Sequence, residues 1–510
     1  MKQIIVFAAI AMVAGSFQAS CQEMHDHPPP EKLGTVFFPT SCAPAVGPQF
    51  TRAVALLHSF AYSAAQHTFR DVAATEPNCA MAHWGIAMSY YHQLWSPPGT
   101  ADLNQGWAQV QQALALPNGS PREQQYIGAA AAFFRDADHV PYAARAKAYA
   151  EAMGQVARSN SQDTEAQVFY ALALLATAAP EDRTHANQKR AAALLEPVYQ
   201  AQPDHPGAAH YLIHAYDSAE LAPRGLLAAR AYAKIAPSAP HALHMPSHIY
   251  TRLGLWADSI ASNQAARAAA RAQGDLGEEL HAMDYLTYAY LQSGRDTDAG
   301  RVVADLAAMH GIIGSDFKMG FAATAMPVRL AMERQQWEQA LLLEPLAESA
   351  PHVAAIVYWA RAVANARLGR GAAADPDLAN LEACRQRSLD LGNAYWAAQV
   401  GVLGKEARAW QLVSTGGQDE PLQLLRQAAD AEDALEKLPV TPGPVIPARE
   451  QLGELLLLLH RPAEALREFQ TALLAAPGRR GALSGVARAT KLLGNTPPAA
   501  SAAAPAFSPI

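Results

Sequence analysis

The sequence predicts an all-α solenoid, a stack of helix–turn–helix repeats, on three observations. Amphipathic helical patterns fill nearly the whole chain and are interrupted by Pro, Gly or Asp at intervals of roughly 12 to 20 residues. No run of alternating apolar and polar residues indicates a β-strand. Apolar patterns recur at a spacing of 34 residues, so the 510-residue chain is expected to form one quasi-linear core and not several globular domains.

The first 20 residues have the form of a secretory signal peptide. A positively charged start precedes an apolar run over residues 4–13 that is too short to span a bilayer, and small residues follow it. Two endings are open. Cleavage after Ser16 fits the small-x-small rule, whereas the sequence QASC resembles a bacterial lipobox in which Cys21 would be acylated. We therefore expect an exported, periplasmic protein, with a lipid on Cys21 as its sole membrane anchor if it has one.

Two low-complexity segments flank the repeats. Residues 21–48 are rich in Pro, Gly and short polar residues and predict a linker, and residues 496–510 predict a disordered tail. The solenoid is expected over residues 49–495. Because export permits disulfides, a Cys42–Cys79 bridge would join the linker to the first repeat. The alternative is two unrelated buried thiols.

The repeat unit is clearest in PAREQLGELLLLLHRPAEALREFQTALLAAPG, residues 447–478. Small residues stand where paired helices approach closely, large residues fill the gap between them, and Pro ends the second helix. The positions that define this frame are Leu452, Gly453, Leu456, Ala465, Phe469, Ala472 and Pro477. The pattern resembles the tetratricopeptide repeat, and this resemblance implies a right-handed superhelix whose concave groove binds a peptide, protein or small-molecule ligand.

The resemblance extends beyond the generic repeat. The segments AAHYLIHAYD, HALHMPSHIYTRLG, HAMDYLTYAYLQSG and EDALEKLPVTPGPVIP look like those of a large family of exported bacterial tetratricopeptide proteins, and the likeness covers most of residues 40–490. Leu438 departs from that pattern, in which His is expected. The resemblance implies a fold but no particular activity.

Histidines recur at equivalent positions of adjacent repeats. His210 and His214 are followed, 34 residues later, by His244 and His248. At about 100° per residue these positions lie on one helix face, well away from the positions that pack between helices. The resemblance places this face in the concave groove. Seven of the 18 histidines lie within residues 205–281, and the same positions of other repeats hold no histidine.

This clustering predicts a metal site. Imidazoles with a carboxylate suit zinc, copper, iron, nickel or manganese and argue against calcium. Six groups would serve either one ion with supporting residues or two ions that share the carboxylate. The candidate ligands are His210, His214, His244, His248, His281 and Asp284.

Four further residues are candidates for supporting roles. Asp217 would orient a ligand histidine from behind, and His241 lies on the same face. Arg252 would hold an anionic substrate or a partner's carboxylate. Tyr288, like Asp284, would move protons if the site is catalytic. Pro246, inside the helix, is expected to displace His244, either by a kink or by a late helix start.

Two weaker features have explanations that involve no function. His58 and His92 are also 34 residues apart, but histidines near helix C-termini account for both equally well. The Pro- and Gly-rich segment 439–444, beside Glu436 and Lys437, would either cap one end of the groove or simply connect two repeats.

Composition and motifs exclude several functions. The formal charge of −7, without a basic stripe, gives no case for nucleic-acid binding. No phosphate-binding loop, nucleophile elbow or zincin glutamate is present, so neither a nucleotide nor a flavin is expected. Three hypotheses remain, and they leave enzymatic activity open: a metal-binding solenoid, a metal-free adaptor for a protein partner, and an architectural protein of the cell envelope.

Overall fold

The computed structural model describes residues 31–94, 97–117 and 119–494. The predicted signal peptide, Cys21, residues 21–30 of the predicted linker and the predicted tail over 496–510 lie outside the described residues. The chain divides into two units, Met1–Glu31 and Lys32–Ile510, and the second contains all the helices described below.

The described residues form an all-α solenoid without β-strands. Proline, serine or aspartate begins many of the helices, as expected at first turns, where backbone N–H groups have no partner within the helix. The helices of the first third are α1 Gly47–His58, α2 Tyr62–Thr75, α3 Ala80–Met88, α4 Thr100–Ala115, α5 Pro121–Phe134, α6 Tyr142–Ser159, α7 Thr164–Ala176 and α8 Ala186–Ala201.

The middle third contains the histidine-rich repeats. Pro206 and Pro240, 34 residues apart, begin α9 and α11, and the His205 side chain accepts the Ala208 N–H at the start of α9. The helices are α9 Pro206–Tyr216, α10 Ala222–Ile235, α11 Pro240–His244, α12 Pro246–Arg252, α13 Trp256–Gln273, α14 Leu276–Gln292, α15 Asp296–Ala307 and α16 Phe317–Glu333.

The last third continues the same pattern. Its helices are α17 Trp337–Ala340, α18 Pro351–Arg367, α19 Asp375–Asp390, α20 Ala394–Ser414, α21 Asp419–Asp433, α22 Ala448–Leu458, α23 Pro462–Ala475 and α24 Arg480–Leu492. Short 3-10 turns cover Pro44–Val46 and Gly371–Ala374. Among the described residues, no helix combines the length and the apolar character needed to cross a bilayer.

Consecutive helices pack side by side along the chain, and glycine permits the closest approaches. A Cβ on Gly85 would lie 2.4 Å from the Phe69 ring, and one on Gly453 would lie 2.7 Å from the Phe469 ring. The same small-to-large contact therefore recurs near both ends of the solenoid, at positions the repeat pattern identifies.

The segment before α1 is not a free linker over its described part. Leu33, Val36 and Phe38 are buried, and the Phe38 ring packs against Phe50 and Trp84 with centroids 5.5 Å apart. Composition could not predict this packing, because three spaced apolar side chains in a Pro-rich context show no helical or strand period. A disulfide joins Cys42 to Cys79 at the start of α3.

The last repeats contact the middle of the solenoid. The Trp256 indole N–H donates to the Gly478 carbonyl over 3.2 Å, and the Arg480 guanidinium pairs with Asp296 over 2.6 Å. These contacts join residues about 200 positions apart in the chain. As a result, the segment between α21 and α22 lies against α14.

Pro246 interrupts the helix without displacing His244. Met245 keeps helical dihedral angles, φ −52° and ψ −37°, and its carbonyl accepts the His248 N–H over 3.1 Å. Pro246 has no N–H to donate to α11, so the regular hydrogen bonding is interrupted between α11 and α12. The expected displacement is therefore wrong, and His244 and His248 remain one turn apart on the same face.

Candidate metal centre

Two groups of three buried histidines lie side by side on α9, α11, α12 and α14. Within each group, one nitrogen from every ring lies within 4.8 Å of the other two. The groups adjoin each other, because the His214 and His248 ring centroids are 6.0 Å apart. We name the group of His210, His214 and His241 site A, and the group of His244, His248 and His281 site B.

The structure brings five predicted ligands together and changes two assignments. His241, which we expected to support the site, lies within site A. Asp284, expected as a ligand, forms an ion pair with Arg329 instead, with 2.9 Å between Oδ1 and Nε. Arg329 comes from α16, 45 residues later, so the sequence of the histidine repeats alone cannot reveal this partner. Asp284 lies outside both histidine groups, its Oδ2 has no hydrogen-bond partner among the described residues, and the arrangement of two ions that share this carboxylate stays a prediction.

The histidines are not open to a groove. His210, His244, His248 and His281 have no exposed surface, and His214 is 8% exposed. The cover is residues 436–445, which we call the strap. The Tyr285 hydroxyl lies 3.1 Å from the carbonyls of Pro439 and Thr441.

The strap is fixed by charges more than 100 residues away in the chain. The Lys437 ammonium lies 3.1 Å from Asp217 Oδ2, and the Arg252 guanidinium lies 2.5 Å from Glu436 Oε1. Arg329 donates to the carbonyl of Gly443 over 2.9 Å. The interpretation of this segment as a plain connector is therefore wrong, because its polar groups pair across the solenoid as well as with the adjacent repeats.

Site B has an arrangement that hydrogen bonding alone does not explain. His244 Nδ1 lies 2.6 Å from Asn263 Oδ1, and His248 Nδ1 lies 2.9 Å from Asp217 Oδ2. The Asn263 amide nitrogen donates to the Ser259 carbonyl, so its oxygen faces His244. Both Nδ1 atoms therefore hold the proton, and both Nε2 atoms present lone pairs.

These two Nε2 lone pairs face each other across only 3.0 Å. Such a contact is repulsive unless a cation lies between the nitrogens. A proton is disfavoured, because burial lowers the pKa of His244 well below its usual value and lowers that of His248 to about 4. A metal ion with imidazole ligands accounts for the contact, and oxygen acceptors behind Nδ1 are the usual outer partners of metal-bound histidines.

Site A shares part of this arrangement. His210 Nδ1 donates to the His58 carbonyl over 2.6 Å, and His241 Nδ1 lies 3.1 Å from Glu278 Oε2. The Nε2 atoms of His210 and His214 are 3.1 Å apart, and a proton on His214 Nε2 would make this contact an ordinary hydrogen bond. Site A is therefore compatible with an ion, but its Nε2 contact is also explained by an ordinary hydrogen bond.

A third group, His58, Glu165 and His205, lies nearby and is satisfied without a metal. His205 Nδ1 accepts the Ala208 N–H, so its Nε2 donates to Glu165 Oε1 over 3.0 Å. His58 Nε2 lies 2.8 Å from Glu165 Oε2, and its Nδ1 lies 3.0 Å from the Tyr211 hydroxyl. Every ring nitrogen of this group has a partner, which makes the group structural and a useful contrast to site B.

Sequence reasoning missed the third group because its members come from α1, α7 and the start of α9. Burial raises the pKa of Glu165, but His205 and His58 lower it further, to about 2. His92, the second member of the 34-residue pair with His58, does not join the group. Its ring stacks on Tyr62 at 4.4 Å and its Nε2 donates to the Ser89 carbonyl.

Of the remaining predicted residues, Asp217 lies where we expected it, whereas Arg252 and Tyr288 do not. Asp217 lies behind His248, the arrangement that orients a ligand histidine, and also holds Arg252 over 2.8 Å. Arg252 is thus paired internally and does not present its charge to an external anion. Tyr288 contacts Arg479 over 3.4 Å, outside both histidine groups. Glu436 of the strap is the second carboxylate that pairs with Arg252, and the sequence did not reveal this pair.

The buried neutral histidines predict acid sensitivity of the metal-free chain. Burial lowers the folded-state pKa of His248 to about 4, so the unfolded chain binds its proton first as pH falls below about 6.5. The stabilising contribution is complete above that pH and is lost towards pH 4. For His248 alone it amounts to about 3 kcal/mol.

Urea unfolding at pH 7 and at pH 4.5 in chelator measures this effect. We expect a lower free energy of unfolding at pH 4.5, and a smaller difference between the two pH values for His248→Gln. Equal unfolding free energies at both pH values would contradict the assignment of neutral buried rings.

The fold and the site define the class of protein: an all-α, tetratricopeptide-like solenoid with histidine groups buried between its repeats. No protein-family model and no curated protein matches the chain. Solved structures align over long stretches. The P58(IPK) tetratricopeptide domain is 12% identical and covers 88% of this chain and 98% of its own, with a TM-score of 0.23.

Two further structures align over similar lengths of this chain. The human IFIT1 dimer with PPP-AAAA is 14% identical over 84% of this chain and 94% of its own, with a TM-score of 0.35. Naa15/Naa10 bound to HypK-THB is 12% identical over 87% of this chain and 60% of its own, with a TM-score of 0.25. At these scores the likenesses support no functional inference, so the class rests on the chain's own repeats and site.

Proposed function

We propose that this protein is an exported solenoid that binds divalent transition-metal ions at sites A and B. The observation that supports the proposal most strongly is the 3.0 Å contact between the Nε2 atoms of His244 and His248, whose Nδ1 atoms both face oxygen acceptors. A buried pair of facing lone pairs is costly in a metal-free protein, and it becomes favourable once both nitrogens share an ion.

The chemistry of the ligands narrows the choice of metal ion. Each site offers three imidazoles, and Asp284, which pairs with Arg329, lies outside both groups. Imidazole suits zinc, copper, nickel and iron, whereas magnesium, calcium and manganese prefer oxygen ligands. Three protein ligands leave a coordination position for a further ligand, which permits both delivery of the ion and chemistry on a small molecule.

The metal-free adaptor is the alternative function. It requires the groove surface that the strap covers, so a partner would first have to displace the contacts of Lys437, Glu436 and Gly443. Metal binding uses the covered arrangement as it stands, and therefore explains more of the site.

The metal content of the purified full chain tests the proposal. After exposure to excess zinc or copper and removal of free metal, we expect about two ions per chain by elemental analysis, one at each site. His352→Gln, which removes a buried histidine outside both sites, serves as the matched control and should retain the same content. Less than about 0.2 ion per chain under both metals, with no binding on titration, would refute the proposal.

A further inference from the structure

A large cavity lies on the far side of the strap from the histidines. Its volume is about 490 Å³, and none of the six histidines of sites A and B lines it. Its walls come mainly from α16, α18, α20, α23 and the strap with the two residues that follow it, and α12, α14, α21 and α22 add a few side chains. This volume is within the range of small-molecule sites in proteins.

The cavity wall is rich in aromatic and branched apolar side chains. Phe321, Trp359 and Trp396 contribute rings, and Ile356 and Val400 contribute aliphatic surface. The His352 ring lies flat on Trp396, with centroids 4.0 Å apart and an interplanar angle of 14°. Such walls favour a ligand with flat, apolar rings.

The charged groups of the wall are neutralised internally. Glu436 pairs with Arg252, and Asp433 pairs with Arg449 over 2.8 Å. Arg329 pairs with Asp284. Burial raises the pKa of Glu432 to about 8, so this carboxyl is mostly protonated at neutral pH. A charged ligand would lose its hydration without gaining a counter-ion here.

Two polar atoms of wall residues still need a partner, His352 Nε2 and Trp359 Nε1. His352 is 9% exposed, and its Nε2 has no hydrogen-bond partner among the described residues. Burial lowers the pKa of this histidine to about 4, so the ring is neutral. A buried, unsatisfied nitrogen on the wall of a cavity is the kind of group that fixes the orientation of a ligand.

We propose that this cavity binds a neutral small molecule with aromatic or similarly flat apolar rings and one hydrogen-bonding group that pairs with His352 Nε2. The proposal is independent of metal binding, because the cavity and sites A and B share no histidine. It assigns the strap two faces: one covers the histidines and the other forms part of the cavity wall.

Titration of the full chain with N-phenyl-1-naphthylamine tests the proposal, since this probe is neutral, has two aromatic ring systems and offers one N–H. We expect saturable one-to-one binding with a Kd of about 10 to 100 µM. The anionic probe 8-anilinonaphthalene-1-sulfonate has similar rings and should bind at least about 10-fold more weakly. Equal or tighter binding of the anionic probe would overturn the assignment of a neutral ligand.

Two variants localise the binding. Val400→Trp fills part of the cavity and should raise the Kd of the neutral probe about 10-fold or more. His352→Phe keeps the ring stack, removes the polar atom and should weaken it about 3- to 10-fold. His310→Phe, at an exposed position, is the control and should bind like the wild type. Each variant is first checked for an unchanged helical circular dichroism spectrum. Unchanged affinity in His352→Phe, or in both cavity variants, would overturn the proposal.

Discussion

Replacing His244 and His248 together by glutamine is expected to remove the part of the zinc-dependent stabilisation that comes from site B. An ion that binds only the folded chain, at a concentration about 1,000-fold above its Kd, adds about 4 kcal/mol to the free energy of unfolding. The double variant should lose about that amount in zinc. In chelator it should stay within about 1 kcal/mol of the wild type, because the change also removes the two facing lone pairs.

The matched control for this experiment is the His58→Gln/His205→Gln double variant. It also removes two buried histidines, but from the group in which Glu165 satisfies both rings. We expect a similar loss of stability in zinc and in chelator. A loss for His244→Gln/His248→Gln that is equally large with and without zinc would show that site B is structural, as the third group is.

The second large effect is expected for Arg329→Met. Arg329 is 1% exposed, pairs with Asp284, and donates to Thr441, Gly443 and Pro444 of the strap. Its removal leaves a buried carboxyl without its counter-ion and three strap oxygens without a donor, which should cost about 3 to 5 kcal/mol. Burial raises the pKa of Asp284, so protonation of this group would moderate the loss. Arg329→Met/Asp284→Asn should recover part of it.

This change should also loosen the cover over the histidines. We expect faster amide hydrogen exchange over residues 436–445 and at least a 10-fold faster loss of bound metal to a chelator, since an open strap exposes sites A and B. Arg145→Met is the control, because Arg145 is a buried arginine that bonds carbonyls of Phe133 and Val140 far from the strap in sequence. If both variants lose metal at the same rate, the strap does not control access.

The sequence was sufficient for the helical repeats and for the proximity of the histidines, because both depend on local spacing. Amphipathic period and proline position define helices such as α9 and α11, and equal positions in stacked repeats bring His214 and His248 close. These relations involve residues within one or two repeats, where helix geometry alone determines distance.

The pairings across the solenoid could not be predicted in this way. Asp217 and Lys437 are 220 residues apart, and their contact depends on how the last repeats return to the middle ones. No periodic pattern encodes that return. The same reason explains why the ion pair of Asp284 and the contacts of the strap could not be predicted, since both depend on Arg329. The burial of the histidines could not be predicted either, because it also depends on rings from other repeats, such as Phe60 against His210.

Anomalous X-ray scattering at the zinc absorption edge tests the central claim most directly, using crystals of the full chain grown with zinc. The account predicts a peak at site B within about 2.0 to 2.1 Å of the Nε2 atoms of His244 and His248, with His281 as a further ligand, and a second peak at site A. Zinc peaks only at surface residues, or at Glu165 with His58 and His205, would contradict it.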